Sequence, residues 1–105
     1  MRVRLRDVAH ARAGDKGDTS TVSLVALDRG DYDWLCLEVT PTRVQDHFGA
    51  MVSGPVVRHE VAHLGALNFV MHRALGGGVT RSLAIDPHGK ARSSWLLEME
   101  VERPG

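Results

Sequence analysis

Apolar and charged positions alternate from the start of the chain: Val3 and Leu5 stand between Arg2, Arg4 and Arg6. This is the two-residue period of a strand with one face in water, and it predicts a first strand running to about His10. Two glycines and two aspartates then interrupt the period over Ala11 to Asp18 and predict a loop. From Thr19 to Leu27, Val22, Leu24 and Ala26 alternate with Ser23, Val25 and Leu27. Apolar residues on both faces predict a central strand. Asp28-Arg29-Gly30-Asp31 forms a turn, after which Asp31 or Asp33 caps a short helix carrying Trp34, Leu35 and Leu37. Thr40-Pro41 supplies a cap followed by proline at the first helical position, with Val44, His47 and Phe48 on one face and Gly49 as the stop.

Gly54-Pro55 leads into a strand over residues 56–61. Leu67, Val70, Met71 and Ala74 fall at i, i+3, i+4 and i+7, which predicts an amphipathic helix ended by Gly76. Val79 to Ile85 alternates as a strand, and Asp86-Pro87-His88-Gly89 has the residues of a type I turn. Trp95, Leu97, Met99 and Val101 alternate with Leu96, Glu98, Glu100 and Glu102 and predict a last strand, although Leu-Leu-Glu-Met-Glu also suits a helix. The order predicts a two-layer α+β sandwich, a mainly antiparallel sheet of four to five strands with two helical segments on one face.

At 105 residues the chain has the size of one domain, 1–105. Its 13 basic and 13 acidic residues cancel, so it lacks the charge that a phosphate-tracking, nucleic-acid-binding protein requires. No continuous apolar stretch suggests a membrane span or signal peptide. Cys36 is the only cysteine, which excludes an intrachain disulfide and fits a buried thiol in a reducing, cytoplasmic setting.

The strongest local signal is Arg12-Ala13-Gly14-Asp15-Lys16-Gly17-Asp18-Thr19. Small residues let backbone amides approach a ligand, and Arg12 and Lys16 are suited to pairing with a carboxylate or phosphate. The spacing is not that of a P-loop, and the bland alternative is a compact turn with Asp15 and Asp18 bonded to backbone and Lys16 solvated. Gly77 and Gly78, with Gly76, read equally as a helix stop and a tight strand entry. The functional alternative brings Gly77, Gly78, Thr80 and Arg81 beside the earlier loop, so that Arg12, Lys16 and Arg81 flank one anion-binding notch.

His10 adjoins the loop and is a conceivable proton carrier. His59 and His63 have helical metal-ligand spacing but straddle a predicted strand end, which argues against a metal. His47, His72 and His88 read as structural. Ser20, Ser23 and Cys36 lack the context of an activated nucleophile. Glu98, Glu100 and Glu102 read as one solvated, charged strand face.

Three stretches together carry a family resemblance. Leu5 to Thr19 resembles the signature LRDLAxARSGDKGD, Leu67 to Val70 resembles LNFV, and Ala74 to Ser82 resembles ALGGGVTRS. In this order they resemble the ferredoxin-fold domain of the AtuA-like, acyclic-terpene-utilisation proteins, from about Leu5 to Val101. The resemblance implies a ferredoxin-like layered fold and a link to catabolism of acyclic terpenes or other branched acyl compounds. In that family the domain is the C-terminal part of a long chain or a short separate protein. It brings no catalytic residue and no cofactor with it. The expectation is an accessory subunit of a larger AtuA-type chain. The alternatives are an independent domain binding or acting on a small acyl or acyl-CoA ligand through the Gly-Asp-Lys-Gly-Asp loop, and a homo-oligomeric module.

Overall fold

The computed structural model describes residues 1–16, 18–73 and 90–104. In chain order these form β1 (Arg2–Arg4), α1 (Leu5–Val8), β2 (Ala9–Lys16), β3 (Thr19–Ala26), α2 (Tyr32–Glu38), α3 (Pro41–Phe48), β4 (Val52–Val61), β5 (Ala66–Arg73), α4 (Lys90–Leu97) and β6 (Glu100–Glu102). The architecture is α+β. Strands β2, β3, β5 and β4 form an antiparallel sheet in that spatial order, and β1 pairs with β6 in a separate two-stranded ribbon.

The register sorts the side chains. Along β3, Val22 and Leu24 are buried while Thr21, Ser23 and Val25 are only half-buried. Val22 stands opposite Ala13 on β2 and Phe69 on β5; Leu24 stands opposite Ala11 and Leu67. This inward row joins Leu5, Val8, Leu35, Val39, Val44, Phe48, Leu96, Met99 and Val101 in one core. Helix α3 covers β4, and α4 covers β2 while touching α3. The small alanines of β2 leave room for α4 to approach. The two helices are clasped by His47, whose Nε2–H donates to the Trp95 carbonyl (2.6 Å), and by Trp95, whose indole N–H donates to the His47 carbonyl (2.9 Å); their rings stack at 4.6 Å.

Several sequence expectations hold. The Thr40 hydroxyl accepts the Arg43 N–H (3.2 Å) with Pro41 beginning α3. Gly49 ends α3 at φ 57°, which only glycine adopts without strain. Strand β3 is central, as its two apolar faces suggested. In β4, Gly54 (φ 76°) and Pro55 make a bulge between the Ser53 and Val57 pairings, on an edge strand where a missing N–H is tolerated.

Four expectations are corrected. The first strand does not run to His10: α1 intervenes, because Leu5 and Val8, one turn apart, both enter the core. The segment 11–18 is not a loop; residues 9–16 are β2, with Ala9, Ala11 and Ala13 forming the inward row. Residues 66–73 are a strand and not a helix, since Leu67, Phe69 and Met71 are all buried and only a period of two gathers them on one face. The segment around Trp95 is helix α4, with Leu96 fully buried and Trp95 40% exposed, and strand alternation resumes only at Met99–Val101. Among the described residues, four α-helices therefore stand where two helical segments were expected. The predicted strand at 79–85, the turn at 86–89 and the Gly76 stop lie outside the described residues.

The junction of α2 with β4 concentrates the polar bonds of the core edge. Asp31 heads α2 without a side-chain cap bond, its carboxylate accepting the Trp34 indole N–H instead (2.9 Å). At the other end Arg58, on the inward face of β4, donates to the carbonyls of Cys36 (2.6 Å) and Val39 (3.0 Å) and pairs with Glu60 (3.2 Å). A guanidinium thus satisfies carbonyls that the helix cannot bond internally and meets the negative end of its dipole. Beside it the Tyr32 hydroxyl is buried without a hydrogen-bond partner. Burial first, then the neighbouring Cys36 thiol and Glu60 carboxylate, push its pKa from 10.0 up to about 12, against a smaller opposing pull from Arg58.

Two outcomes follow. Arg58→Ala should destabilise the fold by about 2–4 kcal/mol in a denaturant titration, because buried carbonyls lose a charged donor; a loss below about 0.5 kcal/mol would show that the bonds are replaced by solvent. Tyr32 is the single tyrosine, so tyrosinate absorbance reads it alone. Its folded pKa lies above its unfolded one, so its contribution to stability is complete below pH 10 and is lost as pH rises through about 12. Tyr32→Phe should remove that alkaline loss and leave stability at pH 7 equal or higher; ionisation of the folded protein at the ordinary tyrosine value would contradict the burial argument.

Candidate functional site

The second face of the four-stranded sheet carries the residues turned away from the core. Its register sets them in cross-strand rows: Arg12, Ser23, Asn68 and His59 across all four strands; Thr21, Val70 and Val57 beside Gly14; and Val25, Ala66 and Val61 beside His10. Thr19, His72 and Ser53 form the last row. Polar rows alternate with rows that are mostly apolar. His10, Arg12, His59, His72 and Val57 are exposed, Val57 at 48%. Bonds run along the polar rows, the Ser23 hydroxyl donating to Asn68 Oδ1 (3.0 Å) and Thr19 Oγ1 meeting His72 Nδ1 (3.4 Å).

Among the described side chains, the formally charged residue on this face is Arg12. Among the residues whose side chains are described, no aspartate or glutamate occupies an outward row; Glu60 falls on the inward side with Arg58. The acids gather elsewhere. On the ribbon and its flank, Glu98 bonds Arg4 (2.9 Å) and Arg6 (3.1 Å), and Arg2 pairs with Glu100 (3.8 Å). The glutamates expected on one solvated face are thus divided, with Glu98 following helix α4 and Glu100 and Glu102 on β6.

The expected anion site is partly dispersed by this arrangement. Arg12 and Gly14 lie along β2, well inside the strand, and the Thr21 hydroxyl donates to the Gly14 carbonyl (3.5 Å). The β2–β3 ladder closes at Lys16 opposite Thr19, so Asp18 sits in a hairpin turn and Asp15 and Lys16 are strand positions. Gly17, Gly77, Gly78, Thr80 and Arg81 lie outside the described residues. Thr19 pairs with His72, so β5 ends at the same end of the sheet as the β2–β3 turn.

The sequence reading gives Asn68 no role of its own, weighs His59 only as a metal ligand beside His63 and takes His72 as structural; the sheet sets all three on its outward face. Their signal was the strict alternation of Asn68, Val70 and His72 with Leu67, Phe69 and Met71, which the helical spacing obscured. Two shallow clefts on the helical side, about 220 and 330 Å³, share Arg43 and Glu100. Arg43 is already committed there, donating to the Glu38 carbonyl (2.9 Å), the Glu38 carboxylate (3.1 Å) and the Glu100 carbonyl (2.8 Å). These clefts are joints between elements. Among the described residues no group of three or more His, Cys, Asp or Glu side chains is placed to hold a metal, and no helix is long and apolar enough to cross a membrane.

Comparison with known proteins fits this architecture. The profile of the AtuA ferredoxin-like domain matches residues 3–102, from β1 through β6. No curated protein and no solved structure matches the chain. With nearly its whole length accounted for by one family, and with the antiparallel α+β fold that the family's description implies, the chain belongs to the AtuA ferredoxin-like domain family.

Proposed function

We propose that this chain is an accessory subunit that joins a larger AtuA-type protein acting in the catabolism of acyclic terpenes or other branched acyl compounds. The observation that carries the reading is the extent of the family match, residues 3–102, which identifies nearly all of this sequence with the domain that the family resemblance associates with a larger AtuA-type chain. Such a domain meets the rest of an AtuA-type protein through its surface. The open sheet face supports this, since its half-buried Val70 and exposed Val57 are interleaved with polar rows as in a protein interface. A cytoplasmic setting goes with the reading, as the lone cysteine suggests.

A second reading is favoured by one observation, the common end of the sheet shared by the β2–β3 turn and the exit of β5. There Lys16 and the following residues hold a small acyl or acyl-CoA ligand directly, with or without catalysis. A third, self-association through the sheet, is read by the same instruments.

Tagged chain co-expressed with the large AtuA-type protein of the same genome should be recovered as a stable complex of defined stoichiometry by light scattering. Recovery of this chain alone, or as a homo-oligomer, would contradict the accessory role. In the same preparation, acyl-CoA compounds should leave the melting temperature of the isolated chain unchanged. A ligand present at a hundredfold excess over its Kd adds about 2.7 kcal/mol, and a shift of that size abolished by Lys16→Ala would favour the second reading.

A further inference from the structure

The phase of the hydrogen bonds decides what the rim of the sheet offers. The Leu27 N–H donates to the Val8 carbonyl (2.9 Å) at the head of the β2–β3 ladder, which sets Ala9 opposite Ala26. Bonded pairs alternate in an antiparallel ladder, so His10, Arg12 and Gly14 direct their main-chain groups to β3, while Ala11, Ala13 and Asp15 direct theirs away from it. Ala9 is divided, its N–H already donating to the Leu5 carbonyl at the end of α1. Among the described residues no strand lies beyond β2. Gly14 is exposed, and in a residue without a side chain that exposure is main chain.

The other described edges are blunted. Strand β4 is broken by the Gly54-Pro55 bulge. On β6 the Glu102 N–H donates to the Glu38 carboxylate (2.7 Å), and the Glu100 carbonyl accepts from Arg43 (2.8 Å). Strand β1 is only Arg2–Arg4. By contrast β2 runs from Ala9 to Lys16 without bulge or proline, with alanine or glycine at 9, 11, 13 and 14. A regular, unblunted edge pairs with another strand, and the strand whose fit is already known is β2 of a second copy. We infer that two copies of this chain join β2 to β2, antiparallel across a two-fold axis through Ala13, so that their four-stranded sheets become continuous.

The register follows from the same residues. Opposed residues share a face, so Arg12 can stand opposite His10, Arg12, Gly14 or Lys16 of the other copy. Three of these oppose it to a basic residue. Opposite Gly14 it meets no side chain. That register bonds Ala13 to Ala13 and Ala11 to Asp15 and asks nothing of the Ala9 N–H, whereas pairing Arg12 with Arg12 or His10 brings Ala9 into the bonded set. His10 then falls opposite Lys16 at the two ends of the pairing. The contact is isologous and closes at two copies.

Size sets its strength. Eight residues at about 3.4 Å rise, in a layer about 10 Å thick, offer on the order of 300 Å² per copy. This is well below the ~800 Å² per partner of a standard stable interface, so the dimer assembles only as concentration rises. The pairing uses the rim and not the outward face, and it neither needs nor excludes the accessory role. A dimer bound to the larger chain agrees with both; a dimer recovered without that chain agrees with this inference alone.

Sedimentation equilibrium of the purified chain tests it, and the mass should double as concentration rises. Ala13→Pro removes an edge-facing N–H and leaves the ladder to β3 intact, a change that edge strands tolerate. It should raise the dimer Kd about tenfold or more. Leu37→Ser, at a side chain 78% exposed on α2, should change that Kd less than about twofold. Circular dichroism checks the fold of both variants. Should Ala13→Pro misfold, a mixture of isotope-labelled and unlabelled wild type decides, through contacts between Arg12 Hα of one copy and Gly14 Hα of the other. A monomer at every concentration, a dimer unweakened by Ala13→Pro, or inter-copy contacts with none across β2 would overturn the inference.

Discussion

Everything in the molecule depends on β3 lying beside β5. Each of these strands belongs to a hairpin, β2–β3 and β4–β5, and neither hairpin has a sheet face large enough to bury helices alone. Pairing Val22 with Phe69 and Leu24 with Leu67 joins them into one continuous apolar surface. Helices α3 and α4 then have something to cover, and the Arg58 bonds at the end of α2 fall into place against β4. A shift of one residue in this register would turn Phe69 outward and Asn68 inward, so the alternation itself specifies the pairing.

The same alternation separates structure from function. Inward positions are committed to the core, and Arg43, which lines both clefts on the helical side, is already bonded to the Glu38 carboxylate and the Glu100 carbonyl. Outward positions face away from the core, and there the described side chains are histidines, an arginine, hydroxyls and valines, with no acid among them. Among the described residues, Arg12, Val57, His59 and His72 stand exposed on this face. Gly14 fits this picture as a strand residue whose added Cβ would stand 3.2 Å from the Thr21 hydroxyl, so its small size serves the hairpin itself.

Much of this was legible in the sequence, and the failures share one cause. The caps of α3, the central position of β3 and the family resemblance all rest on residues whose meaning is local: Thr40, Pro41, Gly49, and the motifs around Gly14 and Leu67. The misread segments were those where a helical and a strand period both fit. For residues 67–74 the decisive residue is Phe69. A helix with Leu67, Val70 and Met71 inward leaves it in water, at a cost of about 1.5–3 kcal/mol. Differences in helix propensity are at most about 0.7 kcal/mol per ordinary residue, so tertiary burial wins. Around Trp95 the balance tips the other way, because Leu96 and not Trp95 is fully buried. The candidate site suffered accordingly. Arg12 is a candidate from the sequence, but Asn68, His59 and His72 are not joined to it there, because they share its face only through pairing between strands that the helical reading removes.

The central claim is that residues 66–73 are a strand in register with β3, since the core, the open face and its charge all follow from it. Nuclear Overhauser contacts in the labelled protein test it directly. Cross-strand contacts of Val22 with Phe69 and of Ser23 with Asn68, with the extended-chain pattern through residues 67–72, are the predicted result. Sequential helical contacts between Leu67 and Val70 and between Val70 and Ala74, with none to β3, would contradict it.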